Sequence, residues 1–255
     1  MRLLFPLLLY CCSVQAAVGL GQLRYLTEEY PPYNFSLDNG EVSGFATDVL
    51  RAVWRRTGTE PQTIELLPWA RGYYMLGSRD NVVLFSTTRT QVREPLFQWA
   101  CSLGTLELNL YALKRSAPAL TKLEDAKHLL VATVREDVGE QLLLSQGFDP
   151  AFLVRTSSLE QAVKVLSSGR ASLLSSNRLT LLSTLRRGGY DPEIMQPLVK
   201  VSHRPLCFAC SAKVPPELVM RFQANLDQVL NSEEGISLRK QYFHGETLLS
   251  LPLRM

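Results

Sequence analysis

The sequence predicts an α/β protein of two similar lobes, each with a parallel sheet covered on both faces by helices. Three observations predict it. Short apolar runs read as buried strands, they alternate with amphipathic segments at the spacing of βαβ units, and the alternation begins again past Pro118.

In chain order, 23–27 alternates as a first strand and ends in a proline-stiffened loop, Glu28-Glu29-Tyr30-Pro31-Pro32-Tyr33, that carries two aromatics. Asp38-Asn39-Gly40 is a turn signal. After Gly44, the residues Phe45, Val49, Ala52 and Val53 recur at helical spacing, and Gly58 closes that helix. A second strand spans 63–67, Pro68 opens a helix through Trp69 and Arg71, and 82–86 is the third strand. An amphipathic segment covers 94–99, and the longer alternating run 106–113 is a candidate crossover.

In the second half, strands are predicted at 129–134, 152–155 and 171–175, with helices at 139–145, 159–166 and 178–187. Ser157 and Ser158, each three residues ahead of Glu160 or Gln161, spell a capping box; Gly169 ends that helix, and Asn177 stands at the cap of the next. A return strand at 206–212 precedes a helix opened by Pro215-Pro216, with Leu218, Phe222, Leu226 and Val229 on one stripe. The piece 236–243 closes the fold, and 248–255 is a loosely held tail.

Composition narrows the class. With 255 residues, 46% hydrophobic and 20% charged, the chain is ordinary globular material, and its formal charge of +3 comes from scattered Lys and Arg, which argues against nucleic acid as a partner. One Arg, a short apolar run and then Val14-Gln15-Ala16 read as a signal peptide cleaved after Ala16. Tyr10 and Leu9 ahead of Cys11 suit plain cleavage better than lipid attachment. No other apolar run approaches the ~20 residues of a membrane helix, so the exported chain is not expected to span a membrane.

Cleavage leaves Cys101, Cys207 and Cys210, an odd number in an oxidising compartment. On a strand, residues three apart lie about 10 Å apart on opposite faces, too far for Cys207 to pair with Cys210. Two readings stay open: small buried side chains, or a bond from Cys101 to one of the pair. His128, His203 and His244 lack ligand spacing, so no metal is expected, and no motif calls for a cofactor.

The third strand runs into Ser86-Thr87-Thr88-Arg89-Thr90-Gln91-Val92-Arg93. Clustered hydroxyls and guanidinium groups at the carboxyl edge of a sheet suit a carboxylate, which Arg grips with two parallel charge-assisted bonds while Ser86 and Thr88 satisfy remaining lone pairs. Arg89 and Arg93 read equally as solvated surface charges.

Taken together, Tyr30-Pro31-Pro32-Tyr33, Gly44-Phe45-x-x-Asp48, Pro68-Trp69, Thr88-x-Thr90-x-x-Arg93, Gly169-Arg170 and Gln241-Tyr242-Phe243 make the chain over about 21–243 resemble the family 3 periplasmic solute-binding proteins of amino-acid-type ABC importers. The resemblance implies the type II periplasmic binding protein fold: lobe one from 21–106 plus 211–255, lobe two from 107–210, two hinge strands, and a ligand enclosed by lobe closure. It implies that Arg93 clamps the ligand carboxylate with Ser86 and Thr88, that Tyr30, Tyr33 and Trp69 pack the ligand, and that Val138 at a helix N-terminus donates backbone N–H. Arg71 and Arg89 are further candidates. Trp69 reads equally as core filling, and Asn177 as a helix cap.

One departure concerns charge. Relatives that bind α-amino acids commonly carry Asp where this chain has Asn177, and often also where it has Asn81 and Ser172. An amide cannot neutralise an ammonium, which moves the expectation toward a carboxylate-rich or otherwise anionic solute. The expected function is capture of a small carboxylate-bearing solute, by a monomer, for an inner-membrane ABC permease, without catalysis. A receptor-docking sensor and a periplasmic dehydratase of the cyclohexadienyl type are the alternatives.

Overall fold

The computed structural model describes residues 19–243, so the predicted signal peptide and the 248–255 tail lie outside the described residues. The first half contributes β1 (Arg24–Thr27), the small hairpin β2 (Phe35–Ser36) and β3 (Val42–Ser43), α1 (Phe45–Thr57), β4 (Ile64–Leu66), α2 (Trp69–Ser78) and β5 (Val82–Thr88). The long β6 (Gln98–Leu113) leads into β7 (Val131–Val134), α3 (Val138–Ser145), β8 (Leu153–Thr156), α4 (Leu159–Ser167), β9 (Leu173–Asn177) and α5 (Arg178–Arg187). The chain returns along β10 (Met195–Cys210) and ends in α6 (Pro216–Asn231) and α7 (Glu233–Tyr242).

The main sheet has the order β4-β1-β5-β10-β6-β9-β7-β8. Its two ends, β4-β1-β5 and β9-β7-β8, are parallel, and β10 and β6 run antiparallel between them. Most buried apolar residues follow the same division, while Val134 packs with Leu26, Trp69 and Leu84. One core gathers Tyr25, Phe45, Trp54, Phe85, Phe208 and Phe222; another gathers Ala132, Val163, Leu166, Leu174 and Leu185. Residues 111–195 fill the second, which is why the pattern restarts near Pro118.

The return strand is the main correction. Sequence periodicity places it at 206–212, but β10 begins at Met195 and pairs along the whole of β6. Pro197 and Pro205 disguise it, since proline cannot donate to a ladder; register shifts at Pro197/Val199 and Lys200/Ser202 absorb the mismatch. Likewise β6 starts at Gln98, so the predicted amphipathic segment shrinks to one 3-10 turn, Glu94–Leu96. The strand predicted at 171–175 sits two residues later, and β5 reaches Thr88, so Thr87 and Thr88 are ladder residues.

The helix signals act as their chemistry dictates. Gly58 closes α1 at φ 63°, Ser158 Oγ accepts from the Gln161 N–H at 3.3 Å, and Asn177 Oδ1 accepts from the Thr180 N–H at 3.0 Å. Cys101 is bonded to Cys207 across β6 and β10, while Cys210 is a free thiol, buried and pushed up to about 12 by burial. The reading of all three as small buried side chains therefore holds only for Cys210. Among the described residues no helix is long and apolar enough to cross a membrane.

Candidate functional site

The carboxyl ends of β1 and β5 face residues 136–141 and Asn177 from the second half. Arg93 lies between them and is fully buried. Its guanidinium is 5.1 Å from the Trp69 ring and 4.9 Å from the Tyr73 ring. Nε donates to Gln141 Oε1 at 2.9 Å, Nη1 to the Thr88 carbonyl at 3.3 Å and Nη2 to the Glu136 carbonyl at 3.1 Å. A buried charge requires such partners. Burial lowers the proton affinity of Arg93, and the neighbouring Asp137, Tyr73 and Glu28 oppose that effect.

Among the described residues two non-glycine residues adopt positive φ, and both are here: Ser86 at 58° and Glu136 at 61°. Ser86 falls in a bulge of the β5-β10 ladder, where Thr87 pairs with Cys207 and Phe85 with Phe208, and its Oγ bonds Asn34. Glu136 opens the turn into α3. Buried Glu140 fixes that turn, accepting from the Glu136 N–H at 2.8 Å and pairing with Arg155. Asp137 caps α3 and accepts from the Val138 N–H at 2.5 Å.

Tyr30 and Tyr33 stack at 5.9 Å, and Tyr33 packs on Phe243 at 5.5 Å. Gly44, at φ 123°, lies against the Tyr33 carbonyl so closely that a Cβ would collide with it. Tyr242 donates to Asp48 Oδ2 at 2.5 Å, and Phe243 meets Phe45 at 4.9 Å. Three of the sequence motifs thus meet as the support of the aromatic loop.

Of the candidate residues, the structure brings together Arg93, Thr88, Ser86, Tyr30, Trp69, Val138 and Asn177. Trp69 is only 2% exposed, as core filling predicts, and it donates from Nε1 to the Glu136 carbonyl at 2.7 Å. Asn177 caps α5 as its spacing predicts, and it also donates from Nδ2 to the Tyr30 hydroxyl at 2.7 Å. Tyr33 is buried beneath Tyr30. Arg89 points elsewhere, paired with Glu94 and 5.9 Å from the Trp99 ring, and Arg71 is exposed on α2. The Val138 N–H is already occupied by Asp137. Asn81 bonds the Gln22 carbonyl at 3.1 Å and Ser172 is exposed, so neither substitution bears on the interior.

Sequence reasoning did not single out Glu28, Asp137, Tyr73 and Gln141. Burial, then repulsion from Asp137, raises the Glu28 carboxyl well above its usual range, with Arg93 opposing. Burial likewise raises Asp137, against the pull of Arg93 and the Val138 and Gly139 N–H groups. A signal was available for Asp137, which sits at N-cap spacing from Glu140.

The chain belongs to the family described as bacterial extracellular solute-binding proteins, family 3, whose model matches residues 23–245. Solved structures repeat its fold. A histidine kinase sensor domain similar to periplasmic binding proteins is 19% identical, with TM-score 0.76 over 88% of this chain and 96% of that one. The arginine-, lysine-, histidine-binding protein ArtJ of Geobacillus stearothermophilus is 13% identical, with TM-score 0.75 over 91% and 97%. A mutant of ArgBP from T. maritima is 19% identical, with TM-score 0.74 over 86% and 95%. At such identities the likeness establishes the type II periplasmic binding protein fold. No curated protein matches the sequence.

Proposed function

We propose that this chain is a periplasmic solute-binding protein that captures a small polar solute, an amino acid or a related compound, and delivers it to an inner-membrane ABC importer. Residues 1–16 direct export, 21–106 plus 211–255 form one lobe, and 107–210 form the other. The protein acts as a monomer and needs no catalysis. The observation that carries this reading is Arg93: a fully buried guanidinium held from one side by Trp69, Tyr73 and Thr88 and from the other by Glu136 and Gln141. Opening of the lobes about β6 and β10 would expose it together with Tyr30 and Asn177, and a solute would mediate closure.

A thermal-shift screen of the mature protein, refolded to strip carried ligand, tests this against amino acids, organic acids, amines and small peptides. A solute specific to the folded state raises the melting temperature by mass action. No shift with any compound would remove the solute-capture reading. Formation of product from prephenate or arogenate would replace it with the dehydratase.

A further inference from the structure

Resting on the reading of the chain as two lobes that close, we propose that Arg187 and Glu29 form a latch across them, outside the solute site, and that this latch sets how firmly the closed state holds. Arg187 lies in the last turn of α5, within 107–210, and Glu29 in the aromatic loop, within 21–106. Arg187 Nη1 donates to Glu29 Oε2 at 3.0 Å, Nη2 donates to the Ser36 carbonyl at 3.4 Å, and the guanidinium is 5.6 Å from the Phe35 ring. Glu29 is held in turn, because its Oε1 accepts from the Ser36 N–H at 2.9 Å and from the Ser36 hydroxyl. One planar fork thus grips a carboxylate, a carbonyl and a ring of a single short segment.

The placement of α5 gives that grip its leverage. At the other end of the helix its N-cap, Asn177, donates to the Tyr30 hydroxyl at 2.7 Å. The 10 residues of α5 span about 15 Å, so one rigid element touches the loop and hairpin 29–36 at two separated points. The first point lies in the candidate site, and the second does not. A hinge rotation that parts Asn177 from Tyr30 also carries Arg187 off Glu29. The Arg187 and Glu29 side chains are 49% and 36% exposed, so the pair adds little to folding stability. It counts in closure, because a contact made in only one of two arrangements close in free energy shifts their ratio by its whole strength.

Pulsed electron paramagnetic resonance between nitroxide labels at exposed positions, Asp38→Cys and Glu193→Cys, reads the lobe separation of the mature protein with no solute added. Arg187→Ala should lower the ratio of short to long separations about threefold to tenfold. Glu29→Gln, which keeps an oxygen for Ser36 while removing the charge, should do the same, and the two together should do no more than either alone. Raising the salt from about 0.01 M to about 1 M should lengthen the wild-type separation and leave both variants nearly unmoved. Separations unchanged in both variants, or lengthened in Arg187→Ala alone, would overturn the latch and leave solute capture standing wherever the thermal screen finds a binder. Lengthened separations in both variants, with no binder in that screen, would support the latch and remove solute capture.

Discussion

The guanidinium of Arg93 donates to the main-chain carbonyl of Glu136 at 3.1 Å, and that carbonyl belongs to a residue held at φ 61° by the buried Glu140. A strained turn in one half of the molecule thus presents an oxygen to the buried cation of the other half. Arg93→Ala would leave the half-buried acids Glu28 and Asp137 without their compensating charge. The expected loss of stability is about 3 kcal/mol at neutral pH, read from urea denaturation, and smaller at acidic pH, because both acids take up protons more readily than free carboxylates. Equal losses at both pH values would show that Arg93 acts by packing alone.

Glu28→Gln should stabilise the unliganded protein. Because its folded-state proton affinity is raised, Glu28 costs stability once the pH passes the unfolded carboxyl value of 4.5, and the cost is complete above the folded value. The variant should therefore melt higher than the wild type at pH 7, by the equivalent of about 1.4 kcal/mol per tenfold displacement of proton affinity, and match it near pH 4. A variant that melts lower at pH 7 would mean that Glu28 is held by a favourable partner.

The Cys101–Cys207 bond closes a loop of 106 residues in sequence separation. On loop-entropy grounds the double Cys101→Ser, Cys207→Ser variant should lose up to about 5 kcal/mol, measured by denaturant titration against the oxidised protein. Cys210, buried in the apolar core, should resist alkylation until the protein unfolds. Modification of the native thiol at the rate of a free cysteine would contradict its placement.

Gly44→Ala should destabilise by about 2 kcal/mol or more, because a side chain is strained at φ 123° and its Cβ would meet the Tyr33 carbonyl. The check is a melting curve together with near-ultraviolet circular dichroism of the tyrosines. An unchanged spectrum and midpoint would show that the loop shifts freely.

How much of this was legible in the sequence depended on distance along the chain. The strand-helix alternation, the caps at Ser158 and Asn177 and the Gly58 stop are local signals, and each sits where spacing predicts it. The first half of β10 was illegible because pairing with β6, not its own propensity, makes Pro197 and Pro205 extended. Arg93 could be named as a candidate, but whether it or Arg89 turned inward rests on Trp69 and Tyr73 from α2, contacts that no local pattern encodes. Glu28 and Asp137 carry no local signal as a pair, since they lie 109 positions apart and only the fold brings both near one guanidinium. The amide at position 177 therefore does not leave the interior without negative charge.

The bond between Cys101 and Cys207 also makes a ring of the intervening polypeptide, which contains the entire second core. A single cut by a protease in an exposed loop such as 119–122 would open that ring without parting it. The pieces would travel together on a non-reducing gel and separate only when a thiol reductant severs the remaining covalent link.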